Sequence, residues 1–575
     1  MTAWRHHALR IVMLVMFGVL AGRTVYLTVT ERDFLKEQGE ARSVRVVDIP
    51  VHRGMIFDRN GEPLAVSAPM NYVWTDPQKI ALTAFDLERL ADVLETSPES
   101  LRRRIDSGAR QFAYLARRLP PGTAKRVAEL GIDGVHIGRA YHRFYPAGET
   151  VAHIVGRTDI DDVGLEGIEL AFDDYLAGTP GAKRVLRDRK GGTVKDLDYV
   201  KDLDFLRAPE FGGDVALSLD LRLQFLAYRE LKAAVETNGA KSGSLVMLDA
   251  VTGEVLALAN QPSFNPNDWR NRGDHDARNR AISDLYEPGS TVKPLTVLAA
   301  LEGGFFAPDD VIDTAPGYFH VDGKRIEDPS DRGALTVTQV LAKSSQVGIA
   351  KMALEMPPES VVGVFYRAGF GDYTGCDLPG EEIGMVSIAD LDKPIGRATI
   401  AYGYGLMVSP MQLARAYLVL ASAGVRKEVR ILADAAARVD ETPVFTLDDV
   451  RAVVDMMRGV VAPGGTAPKG RPAGYTAAGK TGTARKVRAG GYDDQTHVAF
   501  FAGFAPAERP RVVLVVVVNE PSRGRSSGGT VAAPVFAAVA ERALRILGVP
   551  PSTDAVAANP DSPRGGVPES ERQPT

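Results

Sequence analysis

Arg5, His6, His7 and Arg10 precede an apolar run from Ile11 to Gly22, which resumes from Thr24 to Val29 beyond Arg23. Such a run reads as a signal anchor. Basic residues ahead of it hold that end in the cytoplasm, so everything after about residue 30 is exported. The uninterrupted part is short for the ~20 residues of a span, and Val19 and Ala21 could serve as the small residues of a cleavage site. Flank charge and the apolar continuation favour an anchor over a cleaved signal. Arg23 is costly in a membrane unless it snorkels to the outer interface or pairs with another membrane protein; snorkelling is the simpler reading.

The rest of the 575 residues, with 45% apolar and 25% charged residues in the whole chain, has a globular composition and length for several domains. The 68 basic residues are balanced by 73 acidic ones, so no positive excess points to nucleic acid. One cysteine, Cys376, excludes an intramolecular disulfide framework and reads as an inert packed residue. The nine histidines show no His-Glu-x-x-His spacing. Neither a metal nor another cofactor is expected. From about Pro550 to Thr575 the chain has six prolines and no aromatic residue, too little apolar surface to offset the entropy of folding.

Residues 45 to 75 read as β-rich, with a tight hairpin turn expected at Asn60-Gly61. From Asp86 to Leu130 the apolar spacing predicts helix, and the arginines between 102 and 126 read as a solvated face. Around Gly212 a second domain begins. Leu221 to Val235 is amphipathic, Ser244 to Asp249 and Glu254 to Ala259 flank a Gly-containing turn, and His497 to Phe504 and Val512 to Asn519 are apolar and β-prone. Ala532 to Leu547 reads as a closing helix. Strands at both ends with helices between them predict an α+β domain whose sheet is completed by distant segments.

Chemistry concentrates in this second part. In Glu287-Pro288-Gly289-Ser290-Thr291-Val292-Lys293-Pro294, a helix is expected to open at Ser290, with Pro294 tolerated in its first turn. Ser290 and Lys293 then share a face. A serine attacks a carbonyl only when its proton is removed, and a lysine removes it only when neutral. Lowering a lysine pKa from ~10.4 to near 7 takes roughly 4 kcal/mol, supplied by burial and a neighbouring cation. Lys480-Thr481-Gly482-Thr483, in the strand-like segment Ala478 to Val487, could provide that cation. Lys480 would also attract a substrate carboxylate, Thr481 and Thr483 could donate hydrogen bonds, and Gly482 would leave room for substrate along the strand. Lys241-Ser242-Gly243 has a similar local form but precedes Ser290 and reads as a strand entry. Between the two lies Lys343-Ser344-Ser345-Gln346, after a helical stretch from Leu335 to Leu341, where Ser344 could shuttle protons between Lys293 and Lys480. Tyr492, Phe500 and Phe501 could wall a cleft, with core packing equally open to the two phenylalanines.

Ser290-x-x-Lys293, Ser344-Ser-Gln346 and Lys480-Thr-Gly, in this order, resemble the three motifs of penicillin-binding proteins and serine β-lactamases. The anchor, Arg53-Gly54, Asp58-Arg59-Asn60-Gly61 and the segment before the motifs make the whole chain similar to a class B penicillin-binding protein. Tyr402-Gly-Tyr404-Gly-Leu406-Met-Val-Ser-Pro410-Met-Gln412 is most similar to the division-specific branch. The resemblance implies a cytoplasmic N-terminus (1–10), a transmembrane helix (11–30) and an elongated β-rich stalk of dimerisation type (31–210). It implies a periplasmic penicillin-binding transpeptidase domain with an antiparallel sheet flanked by helices (211–548), and a disordered tail (549–575). It further implies a D,D-transpeptidase of the inner membrane that cross-links peptidoglycan stem peptides at the septum. Ser290 would be acylated, Lys293, Ser344 and Lys480 would be catalytic, and Gln346, Thr481, Gly482 and Thr483 would bind substrate. The backbone N–H groups of Ser290 and Thr483 would stabilise the oxyanion, at about 2.7–4 kcal/mol per donor. β-Lactams would acylate Ser290, and inner-membrane division proteins, including a polytopic glycosyltransferase near Arg23, would be partners. The family's middle motif ends in asparagine where this chain has Gln346, which changes the reach of the amide. A β-lactamase would need a carboxylate and a water placed for deacylation, and no sequence element suggests them. A silent scaffold is opposed by the intact Ser290, Lys293 and Lys480.

Overall fold

A computed structural model describes residues 3–35, 44–106, 112–186, 203–268, 277–433, 441–488, 491–524 and 526–552. The expected tail lies outside them from residue 553. Helix α1 (Ala3–Val25) continues as a π-helical turn, Tyr26–Thr30. The segment Trp4–Thr30 has 27 residues and contains an 18-residue window of mean hydropathy 1.8 with no buried part, so by length and composition it can cross a membrane. The Arg23 guanidinium lies 5.3 Å from the ring centre of Tyr26.

The chain forms two compact units. The first comprises Met1–Gly54, Ser67–Arg143 and Asp174–Gly213, and the second Met55–Val66, Phe144–Asp173 and Asp214–Thr575. Two stretches before residue 211 thus cluster with the later part. Ile56 and Phe57 pair in parallel with Val215 and Ala216, and Asp58 accepts a hydrogen bond from the Leu221 amide at 3.0 Å. Asn60-Gly61 belongs to a wider turn than expected: the Asp58 amide donates to the Glu62 carbonyl, and the Asp58 carboxylate caps the amides of Asn60 and Glu62.

In the first unit, helices Ala84–Val93, Pro98–Ile105 and Pro121–Glu129 do not form the continuous helical stretch expected from 86 to 130, because the strand Ala113–Leu119 interrupts them. Ala113 and Leu115 are buried while Phe112 and Tyr114 face out. That alternation of period two is a strand pattern, concealed in the sequence by the basic residues around it.

The second unit holds α2 (Leu221–Asn238), β1 (Ser242–Asp249), β2 (Val255–Gln261), α3 (Lys293–Glu302), α4 (Val337–Lys343), α5 (Gln346–Glu355) and α6 (Pro410–Ala421). These are followed by β3 (Ala478–Arg488), β4 (Gly491–Ala505), β5 (Val512–Asn519) and α7 (Gly528–Ile546). The five strands form one antiparallel sheet in the order β2-β1-β5-β4-β3. Distant segments therefore complete the sheet, as the strand pattern predicts, and Ser242 of the discounted Lys-Ser-Gly opens β1. Every residue of β1, β2 and β5 is buried, as required of a sheet covered on both faces. On one face Leu514 and Val516 join Leu223 and Leu231 of α2 and Phe536 of α7 in one core. The alternate residues Val513, Val515 and Val517 point to the other face, where α6 packs, buried from Pro410 to Leu420. This leaves β3, with Lys480, at the sheet edge.

Candidate active site

Ser290 lies in a 3-10 turn, Gly289–Val292, and the α-helix begins at Lys293 rather than at Ser290. Pro294 occupies the first turn of α3, where its missing N–H leaves no intrahelical carbonyl unserved. The tighter turn keeps residues three apart nearly eclipsed, so Ser290 and Lys293 still share a face, and the Lys293 amide donates to the Ser290 carbonyl. The turn is fixed from outside: the buried Tyr417 hydroxyl donates to the Thr291 carbonyl at 2.7 Å, and the Gly289 amide donates to the Gly403 carbonyl at 3.1 Å. Gly403 has φ +94°, and a Cβ there would stand 2.0 Å from the Gly289 carbonyl oxygen. The Tyr-Gly-Tyr-Gly segment thus needs glycine for close approach to the serine turn.

Lys293 and Lys480 are both fully buried and meet at one residue. Lys293 Nζ donates to the Ser344 carbonyl at 2.8 Å and to Ser344 Oγ at 3.3 Å, and Lys480 Nζ donates to the same Oγ at 2.8 Å. Burial lowers the Lys293 pKa to about 7, with Arg332 acting the same way and Asp328 opposing. Burial also pushes Lys480 well below its usual range, helped by the charges of Lys293 and Arg332. Two buried ammonium groups disfavour each other's charge, so a neutral lysine is accessible three residues from Ser290.

Ser344 links two helices. It caps α4 in the left-handed conformation, φ 58° and ψ 40°, and Ser345 caps α5 by accepting from the Gly348 amide at 2.9 Å. A non-glycine residue there costs on the order of 1 kcal/mol. The buried Asp328 carboxylate accepts from the Ser345 hydroxyl and the amides of Gln346 and Val347, which fixes the link. The Arg332 guanidinium donates to the Lys343 carbonyl. Neither Asp328 nor Arg332 stands out in the sequence; the signal available was an acid followed by proline, Asp328-Pro329, shortly before the middle motif.

On β3, Lys480, Gly482 and Ala484 alternate with Thr481 and Thr483. Gly482 is not open space for a substrate side chain: a Cβ there would stand 2.7 Å from Thr291 Cγ2 and 2.9 Å from the Pro288 carbonyl oxygen. The glycine is needed so that the edge strand can press against the serine turn. Thr483 Oγ1 accepts from the Gly528 amide at 3.1 Å, and Thr481 Oγ1 is 3.0 Å from Thr466 Oγ1. Accepting from Gly528 leaves the Thr483 proton available for donation.

A cavity of about 600 Å³ is lined by Gln346, Lys393, Tyr402, Tyr404, Arg485 and Tyr492, among others. Gln346 borders this cavity, whose lining includes none of Ser290, Lys293, Ser344 and Lys480. Tyr492 is half-exposed, meets Tyr404 edge to face at 5.4 Å and donates to Glu287 Oε1 at 3.0 Å. Burial raises the Glu287 pKa. Phe500 and Phe501 are buried against Tyr286 and Phe536 instead, so of the three aromatics only Tyr492 lines this cleft.

The family model of the penicillin binding protein transpeptidase domain matches residues 243–541, and that of the penicillin-binding protein dimerisation domain matches residues 48–204. The chain is 40% identical over 559 residues to peptidoglycan D,D-transpeptidase FtsI of Escherichia coli strain K12, covering 96% of this chain and 93% of that protein. It is 39% identical over 548 residues to the probable peptidoglycan D,D-transpeptidase PbpC of Pseudomonas aeruginosa, with 94% and 96% covered. Penicillin binding protein 3 of Mycobacterium tuberculosis, solved with aztreonam, superposes with a TM-score of 0.67 at 29% identity, covering 88% of this chain and 98% of that one.

Proposed function

Since the chain belongs to the penicillin-binding proteins and is a serine-type peptidoglycan D,D-transpeptidase, we propose that it cross-links stem peptides through an acyl-enzyme on Ser290, at the division septum. The observation that carries this reading is the meeting of Lys293 and Lys480 on Ser344 Oγ, with Lys293 held at about 7.

Neutral Lys293 takes the Ser290 proton as Oγ attacks the carbonyl carbon of the penultimate D-alanine. The amides of Ser290 and Thr483 stabilise the oxyanion. As the peptide bond breaks, the proton passes through Ser344 to the departing D-alanine nitrogen, leaving an ester on Ser290. An amine of a neighbouring stem peptide then attacks that ester. Its proton returns through the lysines, the amide cross-link forms and Ser290 regains its hydroxyl. Lys480, Thr481 and Thr483 hold the substrate carboxylate, Gln346 bonds the substrate amide, and β-lactams acylate Ser290 as substrate mimics.

The domain assignment extends this proposal: residues 1–10 are cytoplasmic, 11–30 span the inner membrane, 31–210 are the stalk apart from 55–66 and 144–173, which cluster with the later part, and 211–548 act in the periplasm. A polytopic glycosyltransferase binds near Arg23. The N-terminal apolar helix and the similarity to FtsI support the single-pass anchor.

The test is incubation of the enzyme with a fluorescent penicillin and mapping of the adduct by peptide mass. Label on Ser290, absent in Ser290→Ala, is expected. A folded sample that takes no label would favour a non-catalytic scaffold instead.

A further inference from the structure

The strand Pro63–Thr75, which belongs to the first compact unit from Ser67 on, pairs with Ala113–Leu119 and with Val135–Phe144, and this sheet has two unlike faces. On one, Val73 and Leu115 join Leu90, Leu101 and Val127 in a closed core. The other should be polar in an antiparallel sheet with one face in water. Instead it carries Tyr72, Trp74, Phe112, Tyr114 and His136 in mutual contact. Trp74 stacks on Phe112 at 4.9 Å and lies 4.6 Å from His136, and Tyr114 meets Phe112 and Tyr72 edge-on at 4.7 and 5.4 Å. Phe112 and Tyr114 nonetheless remain 40% exposed. A Cβ on Gly138 would stand 2.1 Å from the Tyr72 ring, so the missing side chain lets that ring lie down on the sheet. The Arg117 guanidinium is 4.6 Å from the Tyr114 ring centre.

We propose that this face is a second binding platform for peptidoglycan, distinct from the catalytic cleft, on which the glycan strand stacks its sugar rings. Rings that already hold one another lose little freedom on binding, and the apolar CH face of a pyranose matches an exposed aromatic face. One cation at this face fits the remaining chemistry: the Arg117 guanidinium beside the Tyr114 ring complements the carboxylates that stem peptides carry along the polymer. The inference rests on peptidoglycan being the substrate. A second platform on the same chain would then hold the polymer at a further point and raise its effective concentration at the catalytic site.

The test uses the full-length enzyme in detergent, saturated with penicillin so that the catalytic cleft is occupied, and co-sedimented with purified sacculi. The Phe112→Ser/Tyr114→Ser variant should bind about tenfold more weakly, while its Ser290 takes up penicillin at the parental rate. That labelling also separates failure of this inference from failure of the acyl-enzyme reading. Tyr114→Trp keeps a ring and should retain binding, which guards against a variant that merely unfolds. In a Trp4→Phe/Trp269→Phe background, the fluorescence of the remaining Trp74 should change on titration with soluble glycan strands. Equal sedimentation of the serine variant and its parent would overturn the proposal. So would unchanged sedimentation accompanied by loss of a co-purifying membrane protein, which would make the face a protein dock.

Discussion

Lys480 Nζ donates to Ser344 Oγ at 2.8 Å across 136 residues of sequence. An oxygen that accepts from Lys480 can direct its own proton toward Lys293 Nζ, 3.3 Å away, whenever that lysine is neutral. Ser344→Gly suits the left-handed backbone at this position, so its effect reports the hydroxyl rather than the fold. We expect acylation of Ser290 to fall by about 10²-fold or more with little change in melting temperature. Stopped-flow measurement with a chromogenic β-lactam checks this, and an unchanged rate would remove Ser344 from the proton path.

The second prediction concerns pH. Lys293 acts only when neutral, so acylation should rise with pH to a plateau, with a midpoint near its pKa of about 7. The charged groups that set this value are Asp328, which raises it, and Arg332, which lowers it, with Lys480 adjacent through Ser344. Asp328→Asn keeps the shape and an acceptor for the Gln346 amide but removes the negative charge. Without that charge the ammonium form loses a stabilising partner, so the midpoint should move to lower pH. A pH–rate profile that moves upward or stays in place would show that Asp328 acts only as a clamp on the Ser345 turn.

A third prediction follows from close packing. Gly482→Ala would set a methyl group 2.7 Å from Thr291 Cγ2 and 2.9 Å from the Pro288 carbonyl oxygen. Backbone on that side cannot yield as a flexible side chain could, so the variant should lose about 1–3 kcal/mol of stability and acylate more slowly. Thr291→Ser removes the nearer contact and should restore part of both. Denaturant titration of the single and double variants measures the coupling. Purely additive effects would mean that strand and serine turn do not press on one another.

The motif chemistry was legible because each part is local in sequence: the three-residue spacing of Ser290 and Lys293, the strand around Lys480, and Ser344 between two helical runs. Its support was not. Asp328 reaches the Ser345 turn from a separate hairpin, so no spacing rule relates the two. Gly482 looked like room for substrate because a sequence cannot show that Thr291 fills the space. The α3 start was misplaced because Pro294 is compatible with a first turn beginning at either Ser290 or Lys293. In the first unit, Ala113–Leu119 was concealed because its outward positions are aromatic and basic instead of uniformly polar. The closure of the sheet by distant strands was predictable, since Val512–Asn519 is apolar at nearly every position and must be covered on both faces.

The last prediction concerns Gln346, where the family has asparagine. Its amide nitrogen is pinned by Asp328, and its side chain borders the cleft with Tyr404, Arg485 and Tyr492. The backbone position is thus fixed by a contact that does not depend on the side chain. Gln346→Asn should therefore leave the fold and the Lys293–Ser344–Lys480 contacts intact while withdrawing the amide by one methylene. Ligands differ in how their acylamino groups approach that amide, so acylation rates should change unequally across penicillins, cephalosporins and monobactams, by several-fold in opposite directions for some pairs. Rates for a panel drawn from the three classes, normalised to the parent enzyme, provide the check. A uniform change would place the effect on the shared proton path, and no change at all would show that Gln346 does not touch the ligand.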